Sequence, residues 1–338
     1  MAVTDPTLLY RLRDGVYAAD LLIVAIAALD LFTRLLASHG VSAEQLCDEF
    51  QLDARAADVM VTYLVALGLL ERGADGRIVA TPVAADHLVA GSRFDLRAYF
   101  GSLKERPACR ELLGVLRTGE PAAWASAASA QDWESRLGDL EFAKRITSAM
   151  DARGAFLGSA LAAAVDDLPV RRVLDIGGSS GIYSCALVDH SPGLSATVFE
   201  RPPVDQAART LLAERGQGDR VDVASGDMFT DPLPAGHDLH LFSHVLHDWG
   251  EEQVRQLLSA SFAALEPGGW LVDHDTHVNA AKTGPLPVAE YSVLLMHSTP
   301  GKCWSAGELT AFLDETGFVD VDYRPTAADR TAIIARRP

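Results

Sequence analysis

The rhythm of apolar and polar positions changes once along the chain, near residue 169. Before that point the apolar residues recur at helical spacing; after it, short apolar runs alternate with amphipathic stretches. Residues 20–36 are apolar on nearly every face, and such a helix must be buried in a core or against another subunit. We expect its most apolar part, residues 21–29, to pack across the two-fold axis of a homodimer. Ser42-Ala43-Glu44-Gln45 has the pattern of a capping box opening a short helix. Asp53 can cap a second helix, whose apolar positions Val59, Tyr63, Leu64 and Leu67 run up to Gly68. Leu69-Leu70-Glu71-Arg72, an Asp75-Gly76 turn and Arg77-Ile78-Val79-Ala80 then predict a hairpin. Helix, helix and hairpin in this order predict a winged-helix region over residues 1–100. Its second helix offers Arg55 beside Asp58 and no Lys, too little cation for a recognition helix, so subunit pairing replaces DNA binding as its expected role. Residues 101–168 read as linking helices that carry Trp124, Trp133 and Phe142 and contribute to a substrate pocket.

Strands are predicted at 172–176, 196–200, 221–224, 239–243, 270–273, 319–323 and 331–335. Helices fill the first four gaps and the long gap before Val319, as parallel crossovers require. A short loop joins the last two strands, which permits an antiparallel pair. Residues 169–338 therefore predict an α/β, doubly wound sheet with a reversed last strand.

Composition narrows the partners. The 338 residues are 49% hydrophobic and 22% charged, with a formal net charge of -17. Such a surface repels phosphate backbones and anionic lipid, which argues against nucleic acid and membrane. Residues 21–29, bracketed by Asp20 and Asp30, form the longest uncharged apolar run, short of the ~20 residues that span a bilayer. No secretory leader is read, and Cys47, Cys109, Cys185 and Cys303 stand singly, so a reducing cytoplasm is expected.

Candidate chemistry lies at the strand ends. Asp175-Ile176-Gly177-Gly178-Ser179-Ser180-Gly181 turns a strand sharply into a helix, but the glycines do not match the dinucleotide spacing G-x-G-x-x-G. An acid just before them suits a cationic ligand without phosphates, which is the character of S-adenosylmethionine. Glu200 ends the next strand, where a carboxylate can accept from two ribose hydroxyls. Asp227, Met228 and Phe229 follow the third strand and offer a carboxylate and an apolar cover for adenine.

Val173-Leu174-Asp175-Ile176-Gly177-Gly178, Phe199-Glu200-Arg201-Pro202-Pro203, Gly226-Asp227-Met228-Phe229, His244-Val245-Leu246-His247-Asp248-Trp249 and Glu315-Thr316-Gly317-Phe318 together resemble a known family. It is that of the S-adenosylmethionine-dependent small-molecule methyltransferases of the plant caffeate and bacterial polyketide type. The resemblance covers the whole chain and implies a Rossmann-like sheet, a winged-helix dimerisation region and an active site between the two domains of a homodimer. It implies that Asp175, Gly177 and Gly178 hold the methionine part, Glu200 the ribose, Asp227 with Met228 and Phe229 the adenine, and Ser243 a further contact.

Seven of the 10 histidines fall between residues 237 and 297. His237, His240, His274 and His277 read as core or surface residues. In the resembling phenol methyltransferases the position of His247 is the general base, which a neutral imidazole suits. Plant relatives carry Lys and Trp where this chain has Ser243 and His244. Gly301-Lys302-Cys303-Trp304 lacks the carboxylate expected there, which leaves Asp273 as the orienting acid. His244, His247 and His297 can converge on Zn²⁺ or Fe²⁺. That pattern resembles the α-keto acid C-methyltransferase branch. The expected activity is therefore metal-dependent C-methylation at the β-carbon of a small 2-oxo acid in secondary metabolism, against Met150 and Met296. The alternative is metal-free O-methylation of a phenolic or polyketide hydroxyl with His247 as base. A third possibility is a regulatory protein that binds S-adenosylmethionine as a signal, which the acidic charge and the His247-Asp248-Trp249 motif disfavour.

Overall fold

The computed structural model describes residues 4–73, 75–122 and 138–338. Trp124 and Trp133 lie outside them. The described residues form two compact units. One comprises those of Met1–Thr7, Ser129–His277 and Ala306–Pro338, the other those of Leu8–Ala128 with Val278–Ser305. The segment Val278–Ser305 belongs to the same unit as Leu8–Ala128.

In the helical unit the sequence signals form as read. Ser42 accepts from the Gln45 amide and the Gln45 side chain from the Ser42 amide, capping the helix Ala43–Phe50. Asp53 caps Ala54–Ala66 through the Ala56 amide. Strands β1 (Leu70–Arg72) and β2 (Ile78–Ala80) pair antiparallel. The apolar stretch becomes a helix, Ala18–Ile23, continued by a π-helical turn, Val24–Ala28. Leu21, Val24 and Ala25 are buried in the unit's own core, together with Phe32 and Met60. This corrects the expectation that the stretch packs across a two-fold axis: residues of the same chain already cover it. Among the apolar side chains left exposed are Leu8, Leu9 and Leu12 of the helix Thr7–Asp14, and Phe94 and Tyr99.

The other unit is built on a seven-stranded sheet in the order β5-β4-β3-β6-β7-β9-β8. Its strands are β3 (Arg172–Ile176), β4 (Ser195–Glu200), β5 (Val221–Ser225), β6 (Leu239–Ser243), β7 (Trp270–Asp275), β8 (Val319–Pro325) and β9 (Thr331–Arg336). The pairs from β5 to β7 are parallel, and β9 runs antiparallel to both β7 and β8, so the final strand is the reversed one. Strand β6 is buried at every position, as a central parallel strand covered on both faces must be.

A long helix, Leu140–Ala164, lies against the helix Ile182–His190 that follows the glycine loop. Gly154 and Gly158 allow the approach. A Cβ at Gly154 would stand 2.2 Å from Ile182 Cγ2, and one at Gly158 would stand 2.8 Å from the Ala186 Cβ. No described helix is long and apolar enough to cross a membrane.

Candidate active site

The carboxyl ends of parallel strands are open where neighbouring crossovers diverge, and here they border a cleft. Its floor is the loop after β3. Gly177 adopts φ +67°, which an L side chain rarely takes. Gly178 has no room for a side chain, since a Cβ there would meet the Asp175 carboxyl carbon at 2.4 Å. Glu200, Asp227, Met228, Phe229, Ser243 and Met150 all line this cleft.

Asp175 does not line it. The carboxyl group is fully buried beside Gly178 and accepts from Ser184 Oγ at 2.7 Å, while Oδ1 has no hydrogen-bond partner. Burial raises its pKa to about 6. Asp175 thus holds the loop from beneath, where a direct contact was expected. Glu200 accepts from the amides of Ser179 and Arg201, each at 3.0 Å, and burial raises its pKa to about 7 against those bonds. Phe229 packs edge-on against Trp249, with ring centroids 4.5 Å apart, on the apolar side.

Among the lining residues that went unpredicted is Arg153, one turn beyond Met150 on the long helix and close enough to His244 and Asp248 to act on both. Its spacing of three from Met150 placed it on the same helix face, and that signal was present in the sequence.

The histidines separate. His244 follows β6, with φ +56°, and its amide donates to the His274 carbonyl at 3.1 Å, tying it to β7. His247 sits in the short turn Leu246–Asp248. Its Nδ1 donates to the Asp275 carboxylate at 2.8 Å, and Nε2 lies 3.5 Å from Asp248 Oδ1. The orienting acid is therefore Asp275, because β7 runs two residues further than predicted. Asp273, on the same face of the strand, instead accepts from His277 Nε2 at 2.9 Å.

Burial alone would lower the pKa of His247, but Asp275 and Asp248 outweigh it and raise it. For Asp275 burial acts upward, and His247 with His244 holds it well below the usual carboxylate range. His244 is driven well below the ordinary histidine value by burial and Arg153, against Asp275. An ionised carboxylate can only accept, so it fixes the proton of His247 on Nδ1 and leaves Nε2 as the basic nitrogen. His247 itself is not among the residues that line the cleft.

His244 Nδ1 lies 3.1 Å from Asp275 Oδ1, and its Nε2 is buried without a hydrogen-bond partner. His244, His247 and Asp275 bring three ligand atoms within 4.8 Å of one another. Two neutral imidazoles and a carboxylate are a donor set that fits a borderline divalent ion.

His297 does not join them. It belongs to the helical unit, where Nε2 meets Glu111 Oε2 at 2.9 Å, Nδ1 meets Ser298 Oγ at 3.0 Å, and the ring stacks on Tyr17 at 4.0 Å. Both nitrogens are engaged, which removes His297 from the expected metal ligands. Met296, expected beside a substrate, is 0% exposed in the core of the same unit.

Comparison with known proteins adds the following. The O-methyltransferase domain family matches residues 110–319. A 3-hydroxy-5-methyl-1-naphthoate 3-O-methyltransferase of Streptomyces sahachiroi is 34% identical over 319 residues, covering 94% of this chain and 90% of its own. The tetracenomycin polyketide synthesis 8-O-methyl transferase of Streptomyces glaucescens is 30% identical, covering 99% of this chain and 98% of its own. The crystal structure of an O-methyltransferase family 2 protein from Planctomyces limnophilus, in complex with apigenin, has a TM-score of 0.88 at 30% identity. That match covers 100% of this chain and 98% of that one.

Proposed function

Since the chain belongs to the O-methyltransferase family and is an S-adenosylmethionine-dependent methyltransferase, we propose that its acceptor is a phenolic or polyketide hydroxyl. The observation that carries this reading is the bond from His247 Nδ1 to Asp275, which prepares Nε2 to take the hydroxyl proton. The printed activities of the two Streptomyces relatives, both O-methyl transfers, support it.

The cleft fits the cofactor. S-adenosylmethionine supplies a methyl group made electrophilic by its sulfonium. In this reading the glycine loop admits the methionyl part, and the Arg153 guanidinium pairs with its carboxylate. Glu200 accepts from the ribose hydroxyls, and Met228 with Phe229 covers the adenine. Ser243 Oγ, buried without a partner, offers one more hydrogen bond. His247 removes the acceptor proton, and the ionised Asp275 stabilises the imidazolium that results. Met150 packs against the apolar body of the acceptor.

The second reading, metal-dependent C-methylation of a 2-oxo acid, is favoured by the grouping of His244, His247 and Asp275. Assays with hydroxynaphthoates, catechols and aromatic 2-oxo acids, each with and without a chelator, separate the two. The expected result is an O-methyl ether formed at a rate that chelation leaves intact. A β-methylated 2-oxo acid, lost on chelation, would replace the proposal with the second reading.

We also propose that the chain acts as a homodimer through the winged-helix region, with Leu8, Leu9 and Leu12 at the contact, since these apolar side chains are 66–68% exposed on one short helix. Light scattering should give twice the 36.1 kDa chain mass, and Leu8→Glu with Leu12→Glu should shift it toward the monomer. A parent protein that scatters as a monomer would contradict the proposal.

A further inference from the structure

We propose that His244, His247 and Asp275 form a site for a borderline divalent cation, Zn²⁺ above all, and that the ion binds there at the expense of methyl transfer. Only the inhibitory half rests on the proposed function; the site itself rests on the donor geometry. His244 and His247 come from the turn after β6, and Asp275 ends β7. The register that pairs Ser243 with His274 brings these two strand ends side by side. The left-handed backbone at His244 turns its ring toward His247, with centroids 5.5 Å apart.

Nε2 of His244 is buried without a hydrogen-bond partner, while its Nδ1 lies 3.1 Å from Asp275 Oδ1 and Asp275 Oδ2 lies 2.8 Å from His247 Nδ1. Buried polar atoms are ordinarily paired, and a bound ion would engage these lone pairs. Two imidazole nitrogens and one carboxylate oxygen select Zn²⁺, Fe²⁺, Co²⁺ or Ni²⁺ over Mg²⁺ and Ca²⁺, which take oxygen ligands. Arg153 is close enough to His244 to oppose a cation here, while Asp248, whose Oδ1 lies 3.5 Å from His247 Nε2, stands on the other side of the balance. The ion would draw on the two groups that prepare the base. With Asp275 ligated, His247 loses the acceptor that fixes its proton on Nδ1; with His247 ligated, the base itself is taken. Binding and proton removal therefore compete for one imidazole–carboxylate pair.

The test uses the full-length protein, stripped with a chelator and dialysed. Zn²⁺ alone is titrated by calorimetry, bound metal is counted by elemental analysis, and methyl transfer is assayed at each occupancy. The expected result is one equivalent per chain, methyl transfer falling in step with occupancy and restored by EDTA, and no effect of Mg²⁺. His244→Gln and Asp275→Asn should each lower the bound equivalents, with circular dichroism showing both variants folded. If one fails to fold, the other carries the test. No bound Zn²⁺ in excess metal, equivalents unchanged in the folded variants, or transfer that rises with occupancy would each overturn the proposal. Binding is read without any acceptor, so a wrong acceptor class leaves the binding result standing.

Discussion

His247→Asn is expected to lower kcat by about 10²–10⁴-fold, the usual contribution of a positioned general base. S-adenosylmethionine affinity, measured by calorimetry, should hold, because His247 does not line the cleft. Asp275→Asn should approach the same loss by another route. The amide removes the charge that raises the basicity of His247 and no longer dictates which ring nitrogen carries the proton. The double variant should be little worse than either single one, since the two side chains act as a unit. The pH profile gives the sign. The base works when neutral, and its pKa is raised above the ordinary histidine value of 6.5, so kcat/KM should climb with pH through a midpoint above 6.5. In Asp275→Asn that midpoint should fall. A single variant with wild-type kcat, or a midpoint unmoved by Asp275→Asn, would remove His247 from the role.

Replacing Glu200 with Ala should weaken S-adenosylmethionine binding by about 1–3 kcal/mol, or about 5- to 150-fold in Kd. The direction with pH follows from burial, which raises the carboxyl pKa to about 7. Ribose hydroxyls donate to the ionised form, so affinity should tighten as pH rises through about 7, and Glu200→Gln should flatten that dependence. In the ligand-free protein the same shift works the other way. The fold favours the protonated carboxyl, so its contribution to stability is full below pH 4.5 and is lost as pH rises to about 7. Calorimetry across this range, with melting curves of the free protein, measures both. A Kd that does not change with pH would argue against Glu200 as the ribose acceptor.

The sheet could be read from the sequence because its strands are short, nearly continuous apolar runs bounded by glycine and charge. The glycine loop could be read because glycines directly follow an apolar strand that carries an acid near its end. What the sequence concealed was set by tertiary partners. Asp273 and Asp275 share one face of β7, and only the end of the neighbouring β6 decides which of them meets His247. His297 looked available until the helix Leu286–Ser298 turned it onto Glu111 and Tyr17. Residues 21–29 have the composition of an interface, yet their own unit is large enough to bury them. Arg153 stood in an alanine-rich helix with no motif around it.

Gly154 and Gly158 bring the backbones of the long helix and the glycine-loop helix into contact. This leaves the register between the two helices almost no slack. A slip of one turn, about 5.4 Å, would leave one of Ile182 and Ala186 on a glycine and drive the other against Ala162 or Met150. The face that carries Ile146, Thr147 and Met150 is thereby anchored to the same helix that shapes the cofactor loop. Under the proposed function, exchanging those three side chains should redraw acceptor preference while the methyl donor stays aligned. A library confined to residues 146, 147 and 150 should therefore yield altered acceptor ranges without loss of S-adenosylmethionine binding, whereas one that touches 154 or 158 should lose the fold of this unit first.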